Sequence, residues 1–344
     1  MLKPVAAFMA TSTALLAPLL FTAVARANDS MAVNTDNFAR AESDRYFSAT
    51  VAQGGFGQFH HHRTPMAIDK QTVIRANRDT LYSAAVFDLD AGPVTITLPD
   101  AGQRYMSMQV INEDHYVTSV VYGQGVYSLS REQAGTRYVI VGVRTLFNPE
   151  KATDLDKAHA LQDAIQVRQA QSGRFEVPQW DPISQKTVRD ALVQLGSTLP
   201  DTQRMFGSRE QVDPVRHLIG SATAWGGNPQ KDAMYLTVTP PQNNGQVLYS
   251  LKVKDVPVNA FWSVSVYNAR AYFEPNALNA YSLNSLTAKR NNQGEANIQF
   301  GGCDGKIANC LPITAGWNYT VRLYQPRAEV LNGNWTFPVA QPLN

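Results

Sequence analysis

Residues 94–98 read Val-Thr-Ile-Thr-Leu, and residues 106–110 read Met-Ser-Met-Gln-Val. Both segments alternate apolar and polar side chains, which is the pattern of a β-strand with one face toward a core. Turn-forming residues separate them, as in Pro-Asp-Ala-Gly at 99–102. The pattern predicts a meander of short antiparallel strands, as in a sandwich or barrel.

Strand-like patterning covers much of residues 72–147 and returns from residue 233 to the end of the chain. Residues 153–206 follow helical spacing instead, and Thr153 or Asp154 is expected to cap a first helix. A second helix is marked by Asp181 as N-cap, with proline at the first helical position and glycine at 196. We therefore expect a mainly β chain, with two antiparallel, jelly-roll-like sandwich units joined by α-helices.

The first 27 residues have the organisation of a secretory signal peptide. Lys3 gives the positive start, residues 5–24 are largely apolar, and Ala-Arg-Ala at 25–27 gives the cleavage pattern. We expect a periplasmic or secreted protein without a stable membrane anchor after cleavage. The predicted domains are a signal peptide at 1–27, an N-terminal β domain with its helical segment at 28–200, and a C-terminal β domain at 201–344.

The charge balance limits the classes of partner. The chain has 30 Lys and Arg against 28 Asp and Glu, and cleavage removes Lys3 and Arg26, so 28 of each sign remain. A neutral chain without a basic block is not typical of a nucleic-acid-binding protein. It favours a neutral ligand, such as a small polar molecule or a glycan, or another protein as partner. Exposed sheet edges are compatible with a homo-oligomer.

Cys303 and Cys310 are the chain's two cysteines. They flank a short segment rich in turn formers, and an even pair in an exported chain favours a local disulfide. A metal site is the less favoured alternative, because no histidine lies nearby in the sequence. A redox role is equally disfavoured, because the spacing is not Cys-x-x-Cys.

The strongest candidate for chemistry is the run Asn-Arg-Asp-Thr-Leu-Tyr-Ser at 77–83. Asp79 or His115 is the predicted general base, Arg78 the oxyanion partner, and Tyr82 the acid or a stacking group. The structural alternative is a capped turn that precedes an apolar strand. Several other mechanisms lack their motifs, because the chain has no G-x-S-x-G, G-x-G-x-x-G, P-loop or H-E-x-x-H sequence.

Further polar and aromatic residues are predicted to contact the ligand, with turns, polar grooves and core packing as the alternatives. They are His62, Arg63, Asn77, Asp114 and Trp225. No cofactor is predicted. A metal held by His60 and His62 with Glu113 and His115 is a less favoured alternative, based on the His-x-His spacing on a strand.

These motifs resemble a known two-domain family. The 77–83 run, with Phe59 to Arg63 upstream and Asp-His-Tyr at 114–116, resembles the domain of unknown function 1254. Trp-Gly-Gly-Asn-Pro at 225–229, Phe-Trp-Ser-Val-Ser-Val-Tyr-Asn at 261–268 and Val-Arg-Leu-Tyr at 321–324 are similar to its companion, the domain of unknown function 1214. The resemblance implies two β-sandwich units with a helical segment, often in exported bacterial proteins, and supplies no reaction.

Two functions are compatible with the sequence. The first is an exported hydrolase or lyase that acts on a neutral polar small molecule or glycan in a pocket at strand ends. The second is a non-catalytic envelope protein that recognises a glycan or a partner protein through its sheet surfaces.

Overall fold

A computed structural model describes residues 30–71 and 73–343. The expected signal peptide lies outside these residues. Within them the chain is mainly β, as predicted, and forms two β units connected by helices.

The N-terminal unit packs two antiparallel sheets on a shared core. Its strands are β1 (His60–His61), β2 (Thr80–Asp88), β3 (Val94–Leu98), β4 (Met106–Asn112), β5 (Val117–Tyr122), β6 (Gly125–Leu129), β7 (Tyr138–Leu146) and β8 (Gln166–Arg168). One sheet has the order β1-β2-β7-β4-β5 and the other β6-β3-β8. Val94, Ile96 and Leu98 are fully buried between the two sheets, so the alternation in β3 is confirmed.

The C-terminal unit repeats this arrangement. Its strands are β9 (Ala233–Val238), β10 (Tyr249–Val253), β11 (Trp262–Tyr267), β12 (Ser282–Asn284), β13 (Ala296–Phe300), β14 (Cys310–Leu311), β15 (Asn318–Tyr324) and β16 (Gln341–Pro342). The sheet orders are β12-β11-β15-β9 and β14-β13-β10-β16. The pair β13 and β14 is parallel, unlike the other pairs of described strands. Inward-facing side chains of both sheets, among them Trp317 and Tyr319, form the core.

The helices are α1 (Phe38–Ala52), α2 (Arg131–Ala134), α3 (Ala152–Asp163), α4 (Pro182–Gly196), α5 (Pro214–Thr223) and α6 (Ala328–Leu331). Helix α4 has its predicted bounds, because Asp181 accepts a hydrogen bond from the Ser184 amide and Pro182 occupies the first turn. The predicted cap of α3 is wrong. That helix begins at Ala152, and the Asp154 carboxylate is held instead by the Arg104 guanidinium, with a contact of 2.8 Å from Nη1.

Helices α1 and α5 were not predicted from the sequence. Helix α1 buries Glu42, Ser43 and Asp44, so it lacks the apolar stripe by which helices are recognised. The sequence does contain a signal for the start of helix α5, because Asp213 caps its first turn and proline follows. Helices α1, α4 and α5 pack on one another beside the five-stranded sheet of the N-terminal unit.

The disulfide between Cys303 and Cys310 is present, as predicted. It closes the loop between β13 and β14. Among the described residues, no helix is long and apolar enough to cross a membrane.

Candidate functional site

Asp79 lies at the seam, by which we mean the contact between the two β units. It is 2% exposed, and its Oδ1 accepts a hydrogen bond of 3.1 Å from Asn284 Nδ2 in the C-terminal unit. Its Oδ2 has no hydrogen-bond partner within residues 30–71 and 73–343. Burial raises the pKa of Asp79, while the Arg322 guanidinium lowers it. Asp79 therefore faces the other domain rather than solvent.

Arg322 is the cation that Asp79 faces across the seam. It is 4% exposed and donates to Ser265 Oγ at 3.0 Å and to Tyr267 Oη at 2.8 Å. It also donates to the backbone carbonyl of Arg75 in the N-terminal unit at 2.6 Å. Its donors thus join the segment before β2 to strands β11 and β15.

Tyr82 belongs to a second group of polar side chains at the seam. The pairing of β2 with β7 places Tyr82 opposite Arg144, and the guanidinium carbon lies 5.5 Å from the centre of the Tyr82 ring. Asn77 Nδ2 donates to Tyr82 Oη at 3.1 Å and to Tyr324 Oη at 3.0 Å. Asn77 and Tyr82 are thus brought together as predicted for the 77–83 run, but Arg144 is the cation beside them.

Arg144 donates to three neutral acceptors. They are Gln109 Oε1 at 2.6 Å, the Gly226 carbonyl at 3.1 Å and Asn228 Oδ1 at 3.5 Å. Burial lowers the pKa of the Arg144 guanidinium. The surrounding tyrosines together raise this pKa by more than burial lowers it, so the net shift is upward. These tyrosines are Tyr82, Tyr105, Tyr235 and Tyr324, and we call them and Arg144 the Arg144 cluster.

Both domains contribute to the Arg144 cluster. Tyr235 on β9 accepts hydrogen bonds from Asn228, at 2.9 Å from Nδ2 and 3.3 Å from the backbone amide. The buried Tyr105 and Tyr324 rings lie 5.5 Å apart. Arg144, Tyr82 and Tyr235 are partly exposed, whereas Tyr105 and Tyr324 are buried.

His115, the other predicted base, belongs to a separate and closed network. It is fully buried, with Nδ1 at 3.1 Å from Ser221 Oγ and Nε2 accepting the Gly226 amide at 3.0 Å. Ser221 donates its proton to the His217 carbonyl, so Nδ1 of His115 must be the donor to Ser221. Burial lowers the pKa of His115 well below its ordinary value. The ring is a neutral tautomer with both nitrogens engaged.

Arg78 and Arg63 bind groups of the protein. Arg78 donates to the Met66 carbonyl and its guanidinium carbon lies 5.5 Å from the Tyr281 ring centre. Burial lowers the pKa of Arg78. Arg63 forms an ion pair with Asp163 on helix α3.

The four candidate metal ligands do not converge. The His60 and His62 rings lie 4.9 Å apart at the edge strand β1. Glu113, in contrast, accepts the Tyr138 amide at 2.9 Å, and His115 is closed in against helix α5. No group of three or more His, Cys, Asp or Glu side chains could hold a metal ion in the part of the chain that the structure describes.

Asp114 and Trp225 fix helix α1 to the N-terminal unit. Asp114 Oδ1 accepts from Arg40 Nε at 2.8 Å. Trp225 stacks on Tyr46 with ring centres 4.2 Å apart, and its indole donates to Ser43 Oγ at 3.2 Å. Their partners are protein side chains, as in the structural alternative.

Sequence reasoning missed five seam residues, which are Tyr105, Arg144, Tyr235, Arg322 and Tyr324. One signal could have found two of them. Arg322 and Tyr324 are two positions apart on one strand, so they share a face, and a charged residue there is unusual in a buried strand.

The comparisons with known proteins agree with this two-unit fold. The family model described as "Protein of unknown function (DUF1254)" matches residues 56–142, and "Protein of unknown function (DUF1214)" matches residues 235–328. No curated protein matches the chain. The VPA0106 protein of Vibrio parahaemolyticus has a similar structure, with a TM-score of 0.69, 15% identity, and coverage of 90% of this chain and 98% of that one.

A putative uncharacterized protein from Burkholderia cenocepacia is also similar, with a TM-score of 0.54, 13% identity, and coverage of 89% and 86% of the two chains. At these identities the similarity concerns the fold alone.

Proposed function

The chain belongs to the two-domain family in which the domain of unknown function 1254 precedes the domain of unknown function 1214, and we propose that it is an exported protein that binds a small polar molecule between these two domains. One observation carries the proposal. Arg144 lies among four tyrosines that come from both domains and forms no ion pair within the described residues. Binding sites commonly lie between domains, where a few polar groups converge.

The partial exposure of three residues of the Arg144 cluster supports a binding role. Burying a cation is costly unless hydrogen bonds or an opposite charge compensate it. Arg144 has only neutral protein acceptors, yet Arg144, Tyr82 and Tyr235 are partly exposed. A ligand bound at the cluster would supply the opposite charge that these neutral acceptors do not provide.

Export is part of the proposal. The Cys303–Cys310 disulfide is stable in an oxidising compartment such as the periplasm or the extracellular space. The leader-like sequence of residues 1–27 supports the same assignment.

Binding is tested by thermal-shift screening of the purified chain against sugars, polar alcohols, organic acids and phosphate esters. We expect at least one class to raise the melting temperature, and Tyr82→Phe and Tyr235→Phe to weaken that ligand's affinity roughly tenfold, as for loss of a hydrogen bond in a binding site. The matched control is Tyr249→Phe, because Tyr249 accepts one backbone amide at 3.1 Å in the C-terminal core. Equal affinities in all three variants would place the ligand elsewhere.

Catalysis is the second candidate. A specific observation favours it, since the Arg144 guanidinium carbon lies 5.5 Å from the centre of the Tyr82 ring, so that a residue able to donate a proton and a residue able to bind an oxyanion are neighbours. Asp79 and His115, the two alternatives for the predicted general base, are enclosed by protein groups, which favours binding over catalysis. Turnover of a ligand found in the screen, lost in Tyr82→Phe while the ligand still binds, would support a hydrolase or lyase. Binding without turnover would support the non-catalytic alternative.

A further inference from the structure

The charge around Arg144 is unbalanced. Two carboxylates at the seam bind groups other than Arg144. Asp79 accepts a hydrogen bond from Asn284, and Asp232 accepts one from Tyr122 Oη at 2.9 Å. Neither forms an ion pair with Arg144 in the described part of the chain. Arg144, a partly exposed cation, therefore has no counter-ion among the described residues.

The cluster also has an excess of hydrogen-bond donors. The amide groups of Asn77 and Asn228 donate to the phenol oxygens of Tyr82, Tyr235 and Tyr324. Each of these hydroxyls keeps a proton of its own, for which the described residues provide no acceptor. A guanidinium has five N–H donors, and Arg144 uses three of them on protein acceptors. Phenol and guanidinium protons thus remain for a ligand.

An acceptor-only ligand matches this arrangement. A carboxylate has two oxygens that only accept hydrogen bonds, and charge-assisted bonds from arginine are the strongest of this kind. A sugar hydroxyl carries no charge, so it would leave Arg144 without a counter-ion. One guanidinium balances one negative charge, so a carboxylate matches better than a doubly charged phosphate.

We infer that the ligand is a small organic acid, whose carboxylate is bound by Arg144 and by the hydroxyls of Tyr82, Tyr235 and Tyr324. This inference rests on the proposed binding function and names the chemical class of its ligand. It replaces the neutral ligand expected from the overall charge, because the local charge at the seam differs from the balance of the whole chain.

The test compares four probes on the purified chain by isothermal titration and thermal shift. The probes are benzoate, its neutral amide benzamide, phenyl phosphate and glucose, each at millimolar concentration. We expect benzoate to bind at least roughly tenfold more tightly than benzamide and glucose, and more tightly than phenyl phosphate. This comparison requires no variant, so it does not depend on whether a variant folds.

Two substitutions of Arg144 test whether this residue binds benzoate. Arg144→Met is expected to weaken benzoate binding at least roughly tenfold, and Arg144→Lys less than that, because a lysine keeps the charge but loses the planar donor geometry. The control is Arg174→Met, whose side chain is 81% exposed, and its affinity is expected to match the unmodified chain.

The outcomes separate this inference from the proposed function. If benzamide or glucose binds as tightly as benzoate, and Tyr82→Phe weakens it, the binding site stands and the organic-acid inference is wrong. If phenyl phosphate binds more tightly than benzoate through Arg144, the ligand is a phosphate and the carboxylate assignment is wrong. If benzoate does not bind, the inference is likewise wrong. If seam variants change the affinity of no bound probe, both proposals are wrong.

Discussion

Arg144 and Arg322 are two arginines at the same seam with different surroundings. Arg322 is 4% exposed, donates to Ser265, Tyr267 and a backbone carbonyl, and faces the buried Asp79. Arg144 is partly exposed and has a tyrosine-rich environment without an opposite charge. The buried Arg322 thus faces a carboxylate of the protein, whereas the partly exposed Arg144 has only neutral partners, which is the difference on which the proposed ligand site rests.

The largest expected effect is at Arg322. Arg322→Met removes the hydrogen bonds across the seam and leaves Asp79 buried without its cation, so we expect a loss of about 3–5 kcal/mol in the free energy of unfolding, measured by urea denaturation. Asp79→Asn in the same chain should recover part of the loss, because the unpaired charge is gone.

The matched control for Arg322 is Arg327→Met. Arg327 is exposed and makes one 3.5 Å contact with the Val258 carbonyl, so its removal should change stability by less than about 0.5 kcal/mol. Equal losses at the two positions would contradict the structural role of Arg322.

Some elements of the fold could be predicted from the sequence, and others could not. The strands β3 and β11 and the helix α4 were predictable, because period-2 alternation and a capping Asp-Pro are local signals. Helix α1 was not, since its inner face carries Glu42 and Asp44, whose burial is compensated only in the tertiary structure.

The candidate site was predictable only in part. The run at 77–83 did contribute Asn77, Asp79 and Tyr82 to the seam. Their partners could not be inferred, because the β2–β7 register and the contact between domains bring together residues far apart in sequence. Arg78 adjoins Asp79 in the chain but contacts Met66 and Tyr281 instead.

Asp44 on helix α1 differs from Asp79, which faces Arg322. It is a buried carboxylate without an ion-pair partner in the described residues. It is 1% exposed, and its Oδ2 accepts from the Trp180 indole at 2.8 Å. Burial raises its pKa from 3.8 to about 6. The folded state therefore binds more protons than the unfolded state between these values, so this group's contribution to stability falls as the pH rises through that window.

Asp44→Asn removes that pH dependence while keeping an oxygen for Trp180. We expect the variant to be more stable than the unmodified chain by about 3 kcal/mol at pH 8, and about equal to it near pH 4, from urea midpoints at both values. Asp190→Asn is the control, because its carboxylate is 62% exposed on helix α4. A gain of the same size at both pH values would show that burial of the charge is not its cause.

The smallest expected change in stability is at Arg144. Its size tests whether Arg144, unlike Arg322, contributes little to holding the two domains together. Arg144→Met loses three hydrogen bonds to neutral acceptors but also removes a partly buried charge that no carboxylate balances. These effects oppose each other, so we expect a net loss of about 1 kcal/mol in urea denaturation. A loss as large as that of Arg322→Met would mean that Arg144 also holds the domains together. A small loss of stability, combined with a large loss of affinity for benzoate, would mean that the protein holds Arg144 at the seam for its ligand.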